Sequence, residues 1–258
     1  MVSVVSSEVN LIRRWPFGIK YLHFLLLLFI FEAMKLTVII PVYNEIATLP
    51  QLLQRINAQP FDLEIIIVDD HSTDGTREYI KTLPSNTYKK LYHSRNMGKG
   101  AAVRSAQAHV KGDIVIIQDA DLEYQPDDYK DLIKPIVAGH ADVVYGTRFL
   151  GAHRVFYFWH YVGNKILSLI TNILYNTILS DMECGYKVFK REIFKEIKIE
   201  SYGFELEPEL TAKVFKQGLR VVEIPITYYG RSYNDGKKIS WTDFFPAIWT
   251  LIKYRFID

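Results

Sequence analysis

The chain has 258 residues, of which 49% are hydrophobic, and a formal net charge of +2. Because no long basic tract accompanies this near-neutral charge, no nucleic-acid partner is expected. The single cysteine, Cys184, excludes an internal disulfide, and the seven histidines show no spacing typical of zinc ligands. The length suits a domain of ordinary to large size with an ample core.

Residues 1–34 differ from the rest of the chain. An uncharged apolar run of 11 residues, 21–31, follows Arg13, Arg14 and Lys20. The run is shorter than the roughly 20 residues that span a bilayer, and no small-residue cleavage site follows it. We therefore expect either that translation starts at Met34, directly before the first strand, or that the extension is a weak membrane-surface anchor.

From Leu36 onwards, strand and helix patterns alternate along the chain. Strands are predicted at 36–40, 63–68, 90–93, 114–117 and 141–146, and helices at 46–58, 76–83, 100–110 and 126–138. Strands that alternate with helices favour right-handed βαβ units. The sequence therefore predicts an α/β fold with a mainly parallel central sheet.

Acidic residues follow the strand at 114–117. Asp119 and Asp121 are two residues apart, so on an extended chain they point to the same side, and Glu123 can join them. Ligands of open parallel sheets bind beyond the carboxyl ends of the strands. Since hard oxygen ligands suit Mg²⁺ or Mn²⁺, these residues predict a metal–diphosphate site. The alternative is a solvated acidic turn.

Two further strand ends meet at the same edge of the predicted sheet. The first strand is followed by Pro41, Tyr43 and Glu45, and the second by Asp69 and Asp70. Carboxylates accept hydrogen bonds from a nucleobase and from ribose hydroxyls, and the tyrosine offers an apolar ring face. The pattern indicates a nucleotide pocket. Either aspartate could instead cap the next helix.

A glycine-containing segment at 96–101 needs separate treatment. Gly98 and Gly100 match the start of a dinucleotide fingerprint, but Val103 occupies the position of the last glycine. We therefore reject a nicotinamide site. Lys99 is expected to bind a phosphate or the acidic centre, the carboxylates of Asp119, Asp121 and Glu123.

Two aromatic stretches lie in the second half of the chain, at 155–179 and 241–256. Both place apolar residues at helical spacing beside polar or basic ones. Such helices pack on their own domain or lie in a membrane interface. The sequence leaves both interpretations open.

Eight motifs follow one another along the chain, at 37–45, 68–76, 96–100, 119–123 followed by Pro126, 146–149, 181–189, 204–210 and 231–238. They are similar to those of the inverting family 2 glycosyltransferases, which implies the GT-A fold, a Rossmann-like three-layer sandwich. Within that family the chain most resembles the dolichyl-phosphate mannosyltransferase-like branch, which glycosylates polyprenyl phosphates. The resemblance covers roughly residues 35–256.

The resemblance implies roles for the nucleotide side of the site. Nucleoside contacts are assigned to Pro41, Tyr43, Glu45 and Asp70, with the neighbouring Asp69 as a further candidate. Asp119 would assist at ribose or diphosphate, and Asp121 would hold Mg²⁺ or Mn²⁺. Glu123 stands where many relatives carry glutamine, and His71 replaces the commoner glycine. The sugar and the choice between UDP and GDP stay open.

The resemblance also implies roles for the acceptor side. Arg148 and Arg231 are the candidates to bind an acceptor phosphate, because a guanidinium matches phosphate oxygens bidentately. Lys237 would support them from a loop, or would belong to a solvated turn. If the acceptor is a hydroxyl instead, the implied base is Asp181 or Glu183.

We divide the chain into the extension 1–34, a glycosyltransferase domain 35–230, and an acceptor loop with an amphipathic helix at 231–258. The expected activity is sugar transfer from a nucleotide sugar to a polyprenyl phosphate by an enzyme on the cytoplasmic face of a membrane. The aromatic stretches or a membrane-protein partner would provide the membrane contact, and a homo-oligomer is left open. Transfer to a saccharide or protein hydroxyl and a non-catalytic nucleotide-sugar-binding subunit are the alternatives.

Overall fold

The computed structural model describes residues 34–154, 157–231 and 244–257. Residues 1–33 and Lys237 therefore lie outside the described residues, and their predicted roles stay predictions. The described strands are β1 Lys35–Val42, β2 Asp62–Asp69, β3 Tyr88–Tyr92, β4 Ile114–Ile117, β5 Val143–Thr147, β6 Lys187–Lys190 and β7 Val221–Pro225. The described helices are α1 Leu49–Asn57, α2 Thr76–Thr82, α3 Lys99–Gln107, α4 Tyr129–Val137, α5 Phe158–Tyr175, α6 Arg191–Glu196, α7 Leu206–Lys216 and α8 Phe244–Phe256.

The described strands form one sheet in the order β3-β2-β1-β4-β6-β5-β7. β6 runs antiparallel to both β4 and β5, and the other strand pairs are parallel. The prediction of an α/β fold with a mainly parallel sheet is therefore confirmed. The sequence patterns did not predict β6 and β7.

Helices cover both faces of the sheet, which gives three layers. Alternate residues of β1 point to opposite faces: Val38 and Ile40 pack in one apolar cluster and Ile39 in the other. The first cluster takes the apolar stripes of α1 and α4. The second takes those of α3 and α7, together with Leu167 of α5 and Leu251 of α8. The sheet is thus buried on both faces, as a parallel sheet requires.

The two aromatic helices pack against each other on the second face. The hydroxyl of Tyr175 on α5 donates to the carbonyl of Leu251 on α8 at 2.7 Å. α5 ends at Tyr175, before the predicted end near 179, because Asn176 adopts a left-handed backbone conformation with φ of 52°. Among the described residues, no helix has the length and apolar character needed to cross a membrane.

Candidate functional site

A cavity of about 740 Å³ lies where the carboxyl ends of β1, β2 and β4 meet. The predicted site residues that line it are Pro41, Tyr43, Glu45, Asp70, Lys99, Asp119, Asp121, Glu123, Arg148, Glu183 and Arg231. Asp69 and Asp181 do not belong to its wall. The tertiary structure therefore brings together most of the residues predicted from separate stretches of sequence.

The two aspartates after β2 have different surroundings. Asp69 is fully buried, and its carboxylate accepts from Arg77 Nε at 2.5 Å and from the Ser72 amide at 3.2 Å. Its partners hold the turn after β2 in place. Asp70 lies on the cavity wall and accepts hydrogen bonds from the 93–98 segment. Of the two, Asp70 is the one positioned to meet a ligand.

Lys99 bridges two carboxylates at the floor of the cavity. Its Nζ lies 2.6 Å from Asp119 Oδ1 and 2.7 Å from Glu207 Oε1. Burial disfavours the charged amine, but these two carboxylates outweigh burial and raise the pKa of Lys99. Two roles are expected for Lys99, phosphate binding and contact with the acidic centre. The structure shows the contact with the acidic centre. Glu207, 108 residues away, is a site residue that the sequence analysis did not identify.

The glycines beside Lys99 allow a close backbone contact. The amide of Ala101 donates to the Tyr202 carbonyl at 3.1 Å, and the amide of Gly100 donates to the Gly203 carbonyl at 3.3 Å. A methyl group at Gly98 or Gly100 would collide with the carbonyl oxygen of Tyr202 or Ser201, respectively. The segment at 96–101 thus packs against the loop 201–203, which directly precedes α7, the helix that carries Glu207.

The acidic centre has a strained turn. Leu122 has φ of 63°, a conformation that an aliphatic side chain rarely adopts. Burial and the neighbouring carboxylates of Glu123 and Asp119 raise the pKa of Asp121. Glu123 accepts from the Tyr228 hydroxyl at 2.9 Å and from the Arg231 amide at 2.6 Å. Strain at such a turn is typical of functional sites.

Within the part of the chain that the structure describes, no three histidine, cysteine, aspartate or glutamate side chains converge as a metal cluster. The predicted ligands Asp119, Asp121 and Glu123 nevertheless supply the hard oxygen donors that Mg²⁺ or Mn²⁺ prefers. Burial and the repulsion between these carboxylates raise the pKa of Asp121, and a cation would relieve that repulsion. The donor set is therefore compatible with a divalent ion.

Both arginines predicted to bind the acceptor phosphate are paired with carboxylates. Arg148 donates from Nε and Nη2 to Asp181 at 2.7 Å each, and its amide donates to the same carboxylate at 3.0 Å. Arg231 donates from Nη1 and Nη2 to Glu45 at 3.1 and 2.7 Å and also reaches the carbonyl of Asp121. The Asp181 carboxylate is thus held by a buried arginine.

Two residues on the cavity wall, Arg154 and Glu183, make no ion pair among the described residues. Among the described residues, the Arg154 guanidinium is exposed at the cavity wall and makes no ion pair with a carboxylate. The Oε1 atom of Glu183 is buried without a hydrogen-bond partner, and burial, followed by the Glu207 charge, raises the pKa of Glu183 to about 7. The sequence analysis named Glu183 and missed Arg154, whose only signal is its charge beside an aromatic stretch.

A sheet that is covered by helices on both faces and presents carboxylates at its strand ends to one cavity is typical of α/β domains with the GT-A fold. The sequence profile described as Glycosyl transferase family 2 matches residues 37–198. The chain belongs to this family.

Curated relatives agree with the resemblance stated above. Glycosyltransferase AglJ of Haloferax volcanii is 30% identical over 199 residues, which are 75% of this chain and 63% of the relative. Dolichol-phosphate mannosyltransferase of Pyrococcus furiosus is 29% identical over 231 residues, 86% of this chain and 65% of the relative. The chain thus spans less than two thirds of the length of these relatives.

Solved structures support the fold. Glucosyl-3-phosphoglycerate synthase of Mycobacterium tuberculosis, in complex with Mn²⁺, UDP and phosphoglyceric acid, superposes with a TM-score of 0.68 at 18% identity. The match covers 87% of this chain and 80% of the synthase. A complex of the same synthase with Mg²⁺ and UDP gives a TM-score of 0.66. At this identity the likeness shows the GT-A fold alone.

Proposed function

We propose that the chain transfers a sugar from a nucleotide diphosphate sugar to a polyprenyl phosphate at a membrane surface. The observation that carries this proposal is the composition of the single cavity described above. One end has the nucleoside candidates Tyr43 and Asp70, the centre has the acidic residues, and the other end has Arg154 beside aromatic side chains. A charged donor and an amphiphilic acceptor match these ends.

Arg154 is our candidate for binding the acceptor phosphate. The guanidinium groups of Arg148 and Arg231 are already engaged by Asp181 and Glu45, so their free N–H groups are few. The exposed guanidinium of Arg154 offers its full set of donors at the cavity wall. Arg148 and Arg231 then act mainly by holding the walls of the cavity, with Arg231 joining Glu45 to the acidic turn.

The aromatic helices supply the proposed membrane contact. Phe158 and Trp159 of α5 and Phe245 and Trp249 of α8 are each at least 65% exposed. Trp159 also lines the cavity, so the exposed apolar face continues into it. Aromatic and basic residues together on such a face are typical of helices that lie in a membrane interface. A polyprenyl chain could therefore stay in the lipid while its phosphate enters the cavity.

The proposed chemistry needs little proton transfer. A phosphate acceptor is already ionised near neutral pH, so the site has to position its oxygen against the anomeric carbon. Asp119, Asp121 and Glu123 would hold Mg²⁺ or Mn²⁺, which supplies positive charge to the departing nucleoside diphosphate. Lys99 fixes the Asp119 carboxylate at the floor of the site. Arg154 would orient the attacking phosphate.

The test is sugar transfer from a panel of UDP- and GDP-sugars to polyprenyl phosphate in detergent with Mg²⁺ or Mn²⁺. We expect the wild type to form glycolipid. In Asp121→Ala the transfer activity should fall about 1,000-fold or more, because charge on the leaving group is no longer neutralised. Arg154→Gln should raise the acceptor KM about tenfold or more and leave the donor KM unchanged. An unchanged acceptor KM would remove Arg154 from acceptor binding.

A second candidate function follows from Glu183. A hydroxyl acceptor requires a general base, and a glutamate with a pKa of about 7 on the cavity wall meets that requirement. Asp181, the other candidate base, is paired with Arg148 away from the wall. If the acceptor is a saccharide or protein hydroxyl, Glu183→Gln should abolish transfer. For a phosphate acceptor the same variant should retain activity.

A further inference from the structure

We propose that the nucleoside end of the cavity selects a base with a single N–H on its pairing edge, uracil or its 5-methyl homologue thymine, over guanine. His93 sets this selectivity by occupying one acceptor position of Asp70. The inference rests on the proposed function only in requiring that the cavity binds a nucleoside diphosphate. It assigns the donor class that the sequence left open.

The Asp70 carboxylate has few acceptor positions left. A carboxylate offers about four lone-pair positions. At Oδ1, the Met97 amide donates at 2.8 Å and His93 Nδ1 at 2.7 Å. At Oδ2, the Gly98 amide donates at 2.7 Å. Among the described residues these three donors are the complete set for Asp70, so one acceptor position remains, and it is on Oδ2.

His93 is held in the orientation that this arrangement needs. Because a carboxylate only accepts, the proton must be on Nδ1, and Nε2 lies 2.9 Å from the Ser105 hydroxyl on α3. The His93 amide donates to the Asp69 carbonyl at 2.9 Å, and Arg77 Nη2 donates to the His93 carbonyl at 2.6 Å. The imidazole is thus fixed through its ring and through its backbone.

One remaining acceptor position discriminates between bases. Uracil presents one N–H between two carbonyl groups, so a single acceptor satisfies its donor. Guanine presents two adjacent N–H groups, and one of them would be left without a partner against Asp70. Asn96 also lines the cavity, and its exposed side-chain amide has no hydrogen-bond partner among the described residues, so it can donate to a base carbonyl. An unpaired buried polar group lowers affinity on the order of 10- to 100-fold.

The experiment is titration calorimetry of the full chain with UDP, TDP and GDP in the presence of Mg²⁺. We expect UDP and TDP to bind about tenfold or more tighter than GDP. His93→Ala frees the second position on Oδ1, and the UDP-to-GDP affinity ratio should then fall to about threefold or less. Because the ratio compares two ligands on one sample, partial unfolding of a variant does not change it.

Two variants control for a purely structural effect. In His93→Asn, the side-chain amide can donate in place of Nδ1, so the wild-type ratio should return. Ser105→Ala removes the partner of Nε2 and leaves the bond to Asp70, so the ratio should stay within about twofold of wild type. Equal affinity for GDP, or an unchanged ratio in His93→Ala, would overturn the base selectivity while leaving a glycosyltransferase. Absence of binding by every nucleotide would overturn the donor site itself.

Discussion

The two ends of the cavity are built in different ways. At the proposed nucleoside end, the loops after β1 and β2 are joined by hydrogen bonds: the Asn44 amide donates to Ser72 Oγ at 2.9 Å, and the Glu45 amide donates to Thr76 Oγ1 at 2.9 Å. At the proposed acceptor end, α5 and α8 pack by their inner faces and leave large aromatic side chains exposed. Hydrogen bonds between loops fix a ligand's position, whereas an exposed apolar face tolerates a long, variable lipid.

The largest expected effect on stability is at Lys99, on the floor of the cavity between its two ends. Lys99→Met leaves the buried carboxylates of Asp119 and Glu207 without their shared cation. We expect the free energy of unfolding to fall by about 3–5 kcal/mol. Urea denaturation measures this change. The matched control is Lys81→Met, which breaks an exposed pair with Glu78 and should cost less than about 0.5 kcal/mol. Equal losses would mean that the Lys99 bridge is not a buried electrostatic link.

A pH-dependent effect is expected at Glu183, beside the floor. Its pKa is raised from 4.5 to about 7 in the folded protein, so the folded state binds more protons than the unfolded state between these values. The free energy of unfolding therefore falls as pH rises through this window and stays lower above it.

Glu183→Gln removes this dependence. At pH 8 the variant should be more stable than wild type by about 2 kcal/mol, a value that allows for the partial exposure of the side chain. Near pH 4 the two proteins should be equally stable. Denaturation at both pH values measures the difference, and Glu78→Gln, at an exposed glutamate, is the control. A constant difference between variant and wild type at all pH values would contradict the assignment.

The acceptor end is tested by removing one aromatic side chain. Trp249→Ser should lower partitioning into vesicles that contain anionic lipid about tenfold, because a large apolar group no longer enters the interface. The control is Tyr92→Ser on the edge strand β3, because the ring of Tyr92 is also exposed. Sedimentation with vesicles measures both. If the two variants partition alike, the face formed by α5 and α8 is not the membrane contact.

The smallest expected effect is at the nucleoside end. His71 has φ of 67°, and its Nδ1 is buried without a partner. His71→Gly should relieve the backbone strain and raise the free energy of unfolding by about 1 kcal/mol, net of the entropy of glycine in the unfolded chain.

Asn44 provides the comparison for His71. It has φ of 52°, but its Oδ1 accepts from the Thr73 amide at 2.8 Å. Asn44→Gly should therefore lower the free energy of unfolding by about 1 kcal/mol. Thermal or urea denaturation gives both values. Changes of the same sign would show that backbone conformation, and not hydrogen bonding, dominates at this turn.

Several elements were predictable because their signals are local. The apolar stripe of α1, with Leu49, Leu52, Leu53 and Ile56 buried, follows directly from helical spacing. The buried run of β4 and the acids after it likewise depend on neighbours in sequence. β6 escaped prediction because it is four residues long and both of its ends are lysines. Lys187 is nevertheless buried, with its Nζ donating to the carbonyls of Met182 and Cys184.

The sequence by itself therefore determined the fold class, the family and the edge of the sheet at which the candidate site lies, because periodicity and strand-end motifs are local properties. The tertiary structure decided which charges are engaged. Arg148 pairs with Asp181, Arg231 with Glu45 and Lys99 with Glu207 across separations of 33, 186 and 108 residues. Such pairing depends on where the folded backbone places each side chain. The same placement leaves Arg154 and Glu183 without an ion pair on the cavity wall, among the described residues.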